Sequence, residues 1–327
     1  MAPSALQITP AHARRFHDDG YFVIESALAP AALETLRSEC RRLVAERDAE
    51  MIRLGVDTLD LCHRGRRYFL HAYATSPAVR QFLFSDLMAG IAQAVLGDNI
   101  YLFNEQYVIK TAERGMSFGW HQDSGFIPYP HTPYLTCWIP LDDVTESNGT
   151  MHLLPYSRAG TRDVVEHHRD HETNDMIGYM GQDPGDPLAA PAGSIVALSS
   201  TVFHRTGANT SDHPRRVYIA QYTAEPLLSQ DRSQPRHLAE PLLTAGRRPR
   251  AAHDQPPGRP PHASAPLPEP YLDTAATGAN VNVSSNAQRR STPGDSRSRL
   301  HGCLSSQSPQ LVSRGGPPRG SRESRTT

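Results

Sequence analysis

Two stretches carry the residue types from which a metal site could be assembled. The first is Trp120-His121-Gln122-Asp123, at the end of a β-type run and just before the turn-like segment Gly125 to Pro133. In an extended chain, residues two apart share a face, so His121 and Asp123 offer an imidazole and a carboxylate to one ion. The spacing alone does not decide this, because His-x-Asp recurs at His17/Asp19 and His168/Asp170. His17 and Asp19 fall in the last turn of a predicted helix, where i and i+2 point about 200° apart. His168 and Asp170 lie in the charged run Val165 to Asp175, which has no apolar alternation. Only His121 and Asp123 lie between β-type runs. The second stretch begins at Thr201. There His204 closes an apolar run, a polar Gly/Asn/Ser/Asp turn follows, and Arg215 opens the next strand. Two His and one carboxylate form the facial set of non-haem Fe(II) oxygenases, which leaves three coordination positions open. A 2-oxo acid chelates through two atoms, and its far carboxylate then needs a planar, permanently charged partner, which Arg supplies bidentately. Arg215 suits that role, and strand alternation turns either Arg215 or Arg216 outward.

Elements must exist to bring these residues together. Thr9-Pro10 and Gly20 bracket a short helix, with Pro near its first turn and Gly past its end. The strand-like YFVIES follows. Pro30 opens a helix with Leu33, Leu36, Cys40, Leu43 and Val44 on one face, and Ser76-Pro77 opens another through Phe82, Leu83, Leu87, Ile91 and Val95. From Asn99 the pattern changes to short β-rich runs separated by Gly, Pro, Asn and Asp, the mark of an all-β sandwich or barrel. The expected architecture is mainly β: a helical layer to about residue 98, packed on a jelly roll (a cupin-like double-stranded β-helix) from about 99 to 226. Residues 1–248 are read as one domain. The remainder, 249–327, is Pro/Arg/Ser-rich and expected to be disordered, being too polar to offset its ordering entropy by burial.

Charge and composition exclude several classes. From Asp231 onward there are 14 Arg and 7 acidic residues, a net +7, so with a total of −1 the first 230 residues carry −8. An acidic body gives no footprint for nucleic acid. No apolar stretch approaches the roughly 20 residues that cross a bilayer, and the N-terminus lacks the apolar segment of a secretory signal, so no membrane partner and a cytoplasmic location are expected. Cys40, Cys62, Cys137 and Cys303 are widely spaced and read as reduced thiols. No Gly-rich phosphate loop and no GxSxG elbow is present.

The ordered set of His121-Gln122-Asp123, the run Leu135 to Gly160, and His204-x-Thr206-Gly207-x-Asn209-x-Ser211 leading to Arg215 resembles the phytanoyl-CoA dioxygenase (PhyH) family of Fe(II)/2-oxoglutarate-dependent oxygenases. The resemblance runs from Phe16 to about Pro226. It implies a double-stranded β-helix, iron on His121, Asp123 and His204, and the distal carboxylate of 2-oxoglutarate on Arg215. It further implies that Gln106, Trp138 and Thr206 line the co-substrate site. Family members that halogenate have a small residue where Asp123 stands, so the resemblance implies a hydroxylase, using O2 and acting on a small-molecule substrate. The alternatives are a metal-dependent cupin-type isomerase or hydrolase, and a catalytically silent barrel that binds a metal or ligand.

Other residues draw weaker readings. His167, His168 and His171 offer a second metal cluster, but their charged surroundings suit a loop over the barrel mouth better. Phe118, Trp120, Phe126 and Tyr129 could wall a substrate pocket or simply pack. Lys110, the chain's single Lys, reads as a structural or pocket-rim residue.

Overall fold

The computed structural model describes residues 8–112, 117–170 and 175–249. Helix α1 (Pro10–Asp19) stops at Gly20, whose φ of +87° is the left-handed geometry of a helix end. A side chain at Gly20 would also strike Val202, so glycine lets the chain turn at once into β1 (Tyr21–Ile24). Helix α2 (Pro30–Leu54) follows, then the short strands β2 (Thr58–Leu59), β3 (Cys62–His63) and β4 (Arg67–Leu70). The single helix expected after Ser76 is two: α3 (Pro77–Leu83) and α4 (Asp86–Leu96). Ser76 and Ser85 each accept a hydrogen bond from the backbone N–H three residues on, so Ser85 caps a new helix where apolar spacing alone would run through.

The remaining strands are β5 (Ile100–Lys110), β6 (Phe118–His121), β7 (Leu135–Pro140) and β8 (Met151–Leu154), followed after the single turn α5 (Tyr156–Ala159) by β9 (His168–Arg169) and β10 (Met176–Ile177). Then come β11 (Asp186–Pro187), β12 (Ile195–Ser199), β13 (Phe203–Thr206), β14 (Arg215–Thr223) and β15 (Glu240–Leu243). A nine-stranded antiparallel sheet runs β1-β12-β7-β14-β5-β4-β3-β2, with β15 also on β5. A four-stranded sheet, β11-β8-β13-β6, faces it, and β9 pairs β10 apart from both. This is the expected jelly roll. Two boundaries differ from the sequence reading. The N-terminal layer is not purely helical, since β1 and β4 join the large sheet, and the core does not stop at residue 226, since β15 extends it. The tail expected to be disordered, 249–327, lies outside the described residues apart from residue 249.

Alternation gives the large sheet two different faces. Tyr107, Ile109, Cys137, Ile139, Ala197, Tyr218 and Tyr222 point to the helices and make one buried cluster with Leu36, Leu83, Met88 and Ile91. The intervening residues Trp138, Val196, Leu198 and Val217 point to the small sheet and pack on Met151, Leu153 and Val202. The inner face is apolar at this end, where each fully buried side chain contributes about 1.5–3 kcal/mol. Further along it turns polar: Asn104, Gln221 and Thr136 stand side by side on adjacent strands. One-residue alternation on three strands therefore separates a helix-packed core from the wall of a site.

Candidate active site

His121 is the last residue of β6 and His204 stands directly opposite it on β13. Asp123 lies two residues past the end of the strand, at the start of a 3-10 turn (Asp123–Phe126), so its carboxylate reaches the ligand face from a turn and not from an extended strand. The His121 and His204 Nε2 atoms lie 3.9 and 3.5 Å from Asp123 Oδ1. Among the described residues these three form the one group of His, Cys, Asp and Glu side chains close enough to hold a metal ion, their ligand atoms all within 4.8 Å of one another. Both imidazoles bond their Nδ1 to a backbone carbonyl two residues back, Gly119 at 2.8 Å and Val202 at 3.0 Å. A carbonyl only accepts, so Nδ1 carries the hydrogen and Nε2 presents its lone pair to the shared point. Burial, followed by the charge of His204, pushes the His121 pKa down to about 3 and keeps the ring neutral and able to ligate. The carboxylate is aimed too. Thr136 Oγ1 donates to Asp123 Oδ2 at 2.6 Å and Gln221 Nε2 donates to it at 3.2 Å, which leaves Oδ1 facing the imidazoles.

The turn itself is tied down by residues with no obvious signature in the sequence. Gln122 is fully buried; its side-chain N–H donates to Thr201 O and Asp163 O, and its Oε1 accepts from Val165 N. Its backbone N–H donates to His167 Nε2 at 2.9 Å. His167 thus braces the ligand turn and does not belong to a second metal cluster; His171 lies outside the described residues. Ser124 clamps the other side of the turn onto Ser200 through both backbone and hydroxyl.

Deeper in the barrel, Arg215 is buried and Arg216 faces out onto Asp142, as alternation requires. The Arg215 guanidinium lies 5.7 Å from the Trp138 ring and donates from Nη2 to Gly149 O at 3.0 Å, while Nε finds no partner among the described residues. Burial pushes its pKa down to about 10. Lys110 stands opposite Arg215 in the β5·β14 register, equally buried, with Nζ donating to Thr206 Oγ1 and Gly207 O at 2.6 Å each. Burial and then Arg215 hold its ammonium well below the usual lysine range. Gly149 has a φ of +77°, and a side chain there would lie 2.4 Å from Gly207 O, so glycine lets the two acceptor carbonyls close around the cations. Among the described residues the hydrogen-bond acceptors of Arg215 and Lys110 are neutral carbonyls and a hydroxyl, a setting that suits an anionic ligand. Arg215, Trp138 and Thr206 therefore come together here, with Lys110 added.

Gln106 lies on the wall of an open cleft that also exposes Asp123, Asn104 and Gln221 and that none of that group lines. Phe126 and Ile127 line this cleft, with the Phe126 ring edge-on to His121 at 5.4 Å. Trp120 is not a wall residue; alternation turns it away from His121, onto Tyr179 and Arg205. Phe118 packs on Phe69 and Lys110.

The phytanoyl-CoA dioxygenase (PhyH) profile matches residues 16–217, which includes all three residues of the cluster and Arg215. The chain belongs to the phytanoyl-CoA dioxygenase family. It is 28% identical over 234 residues to a probable alpha-ketoglutarate-dependent hypophosphite dioxygenase of Stutzerimonas stutzeri, covering 64% of this chain and 77% of that protein. It is 26% identical to an ectoine dioxygenase of Nocardia farcinica, covering 61% of this chain and 72% of the relative. In three dimensions it resembles EctD from S. alaskensis, solved with 2-oxoglutarate and 5-hydroxyectoine, at a TM-score of 0.55 and 20% identity over 74% of this chain and 87% of that one. That likeness supports the jelly-roll fold of this family member.

Proposed function

We propose that the protein is a non-haem Fe(II)- and 2-oxoglutarate-dependent dioxygenase that hydroxylates a C–H bond of a small organic molecule, with release of succinate and CO2. The observation that carries this reading is the pairing, inside one barrel, of a His/Asp/His cluster with two buried basic side chains, Arg215 and Lys110, whose hydrogen-bond acceptors among the described residues are all neutral. His121, Asp123 and His204 would hold the iron, whose redox chemistry with O2 and the 2-oxo acid supplies an oxidising power that no side chain has. Arg215 would receive the distal carboxylate of 2-oxoglutarate, supported by Thr206 and with Trp138 as the wall beside it. Thr136 and Gln221 hold Asp123 with one oxygen toward the metal, so the ligand does not reorganise when iron enters. Gln106 faces the boundary between co-substrate and substrate, and Phe126 excludes water on the cleft side of His121.

Residues 1–248 would form the catalytic unit. A cytoplasmic location fits its substrate and co-substrate chemistry, and no described helix is long and apolar enough to cross a membrane. Relatives named for hypophosphite, ectoine and proline support a small-molecule substrate. The test is succinate formation from 2-oxoglutarate by the Fe(II)-loaded protein. His121→Ala and His204→Ala should abolish it while leaving the circular dichroism spectrum intact. Metal retention by wild type with no succinate would instead favour the cupin-type or silent-barrel readings.

A further inference from the structure

The cleft beside Asp123 has a charge pattern that bears on its substrate. Among the described residues Asp123 is the single carboxylate lining it, and the oxygenase reading assigns that group to the metal. The basic side chains on its wall are Arg236, His71 and His237. Arg236 comes from the segment that returns to the barrel mouth after β14, where its backbone N–H donates to Leu227 O and the N–H of Leu238 donates to Phe103 O. Its guanidinium lies over the Tyr129 ring at 5.6 Å. Nη1 donates to Tyr129 Oη at 3.3 Å and Nη2 to Phe126 O at 3.2 Å, while Tyr129 passes its own hydrogen to Leu228 O. Among the described residues no carboxylate pairs with Arg236. The neutral acceptors fix the orientation of the fork without neutralising it, and three of its five N–H donors remain.

We propose that Arg236 is the anchor for an oxyanion on the substrate, so that the molecule oxidised is a compact carboxylate or phosphorus oxyanion. This rests on the oxygenase reading and deepens it. Size follows from the same contacts. Arg236 grips the carbonyl of Phe126, the last residue of the 3-10 turn that Asp123 begins, and four residues at about 2 Å each span about 6 Å between first and last. Arg236 and Asp123 line the same cleft at the two ends of this one short turn, which suits a compact substrate with its anion on Arg236 and its reacting carbon toward Asp123. Asn104 and Gln106 offer amide groups along that distance, and Phe103, Ile127 and Tyr134 supply the apolar wall. A planar fork with free parallel N–H groups selects oxyanions over neutral polar groups.

The test uses the full-length protein loaded anaerobically with Fe(II) and saturating 2-oxoglutarate, which occupies the Arg215 site. Probes are L-proline, L-pipecolate and benzoate, each beside its primary amide, together with methylphosphonate. Binding is read as a rise in the thermal midpoint and confirmed by calorimetry. At least one oxyanion should bind and its amide should not. Arg236→Gln, which still offers an N–H to Phe126 O, should weaken that binding at least tenfold, with Arg236→Lys restoring part of it. Preference for the phosphonate over the carboxylates, or the reverse, identifies the class of oxyanion. Equal binding of the amides, undiminished oxyanion binding by Arg236→Gln, or failure of every oxyanion to bind would each overturn the proposal. The midpoint rise caused by 2-oxoglutarate alone should be the same in wild type and Arg236→Gln; its absence from wild type would instead sink the oxygenase reading.

Discussion

Arg215→Met separates function from stability in opposite directions. Among the described residues the buried guanidinium hydrogen-bonds one carbonyl and no carboxylate, and burial pushes its pKa from 12.5 down to about 10. At about 1.4 kcal/mol for each pH unit, the ligand-free fold carries roughly 3 kcal/mol of strain from that charge. Methionine fills much of the same volume without the charge, but Gly149 O then loses its donor, at a cost of about 1–3 kcal/mol. The two partly cancel, so the ligand-free variant should melt no lower than wild type, and up to about 8 °C higher at 2–4 °C for each kcal/mol. Co-substrate binding behaves differently. Removing one partner of a buried charge pair costs about 2–5 kcal/mol, or roughly 30-fold to several-thousand-fold in affinity. In wild type, 2-oxoglutarate at a hundred times its Kd should add about 2.7 kcal/mol and raise the midpoint by about 5–10 °C. In Arg215→Met that rise should fall to about 3 °C or less at the same concentration, since a roughly 30-fold weaker Kd leaves about 0.9 kcal/mol and a larger loss leaves almost nothing. Thermal unfolding of the metal-loaded proteins with and without 2-oxoglutarate measures both effects. A variant that melts well below wild type yet keeps the full 2-oxoglutarate shift would refute the reasoning, because Arg215 would then be a structural ion.

Lys110→Met should weaken 2-oxoglutarate by about 10- to 150-fold, the value of a charge-assisted bond, while leaving iron affinity unchanged; calorimetric titration checks it, and an unchanged Kd would leave Lys110 a clamp between β5 and the Thr206 loop. His237 is packed on Phe103 and pushed down to about 4 by burial and then by Arg236. Its folded pKa lies below the usual unfolded value of about 6.5, so the unfolded chain takes up the proton first and stability is lost as pH falls from about 6.5 toward 4. At pH 5 the loss attributable to this group is about 2 kcal/mol, and His237→Phe should therefore flatten the acid limb of urea midpoints between pH 7 and 5; an identical slope would remove His237 as the source.

Much of this arrangement is legible in the residues. The β-rich runs after Asn99 become β5, β7, β8, β12 and β14, and Gly20 stops its helix as expected. Arg215 and Arg216 divide inward and outward because period-two alternation leaves no other choice. What periodicity misses depends on partners distant in the chain. Ser85 breaks a helix by a capping bond that apolar spacing does not register. Trp120 faces away from the metal although it adjoins His121, for the same alternation that brings His204 across from His121. Gln122 looks like a spacer between two ligands, and its importance lies in carbonyls from residues 163 and 201. Lys110 and Arg236 acquire meaning only once strand register sets Lys110 opposite Arg215 and the return of the chain after β14 sets Arg236 on the cleft wall. Lys110 stands out in the sequence only as the chain's single Lys, and no signal in the residues around Arg236 marks it.

The central claim is that one iron and one 2-oxo acid share the barrel. Anaerobic titration of the Fe(II)-loaded protein with 2-oxoglutarate tests it directly, through the weak visible metal-to-ligand charge-transfer band of the chelate. The band should grow to saturation in wild type and be missing from His121→Ala. Its absence from wild type with iron demonstrably bound would contradict the account.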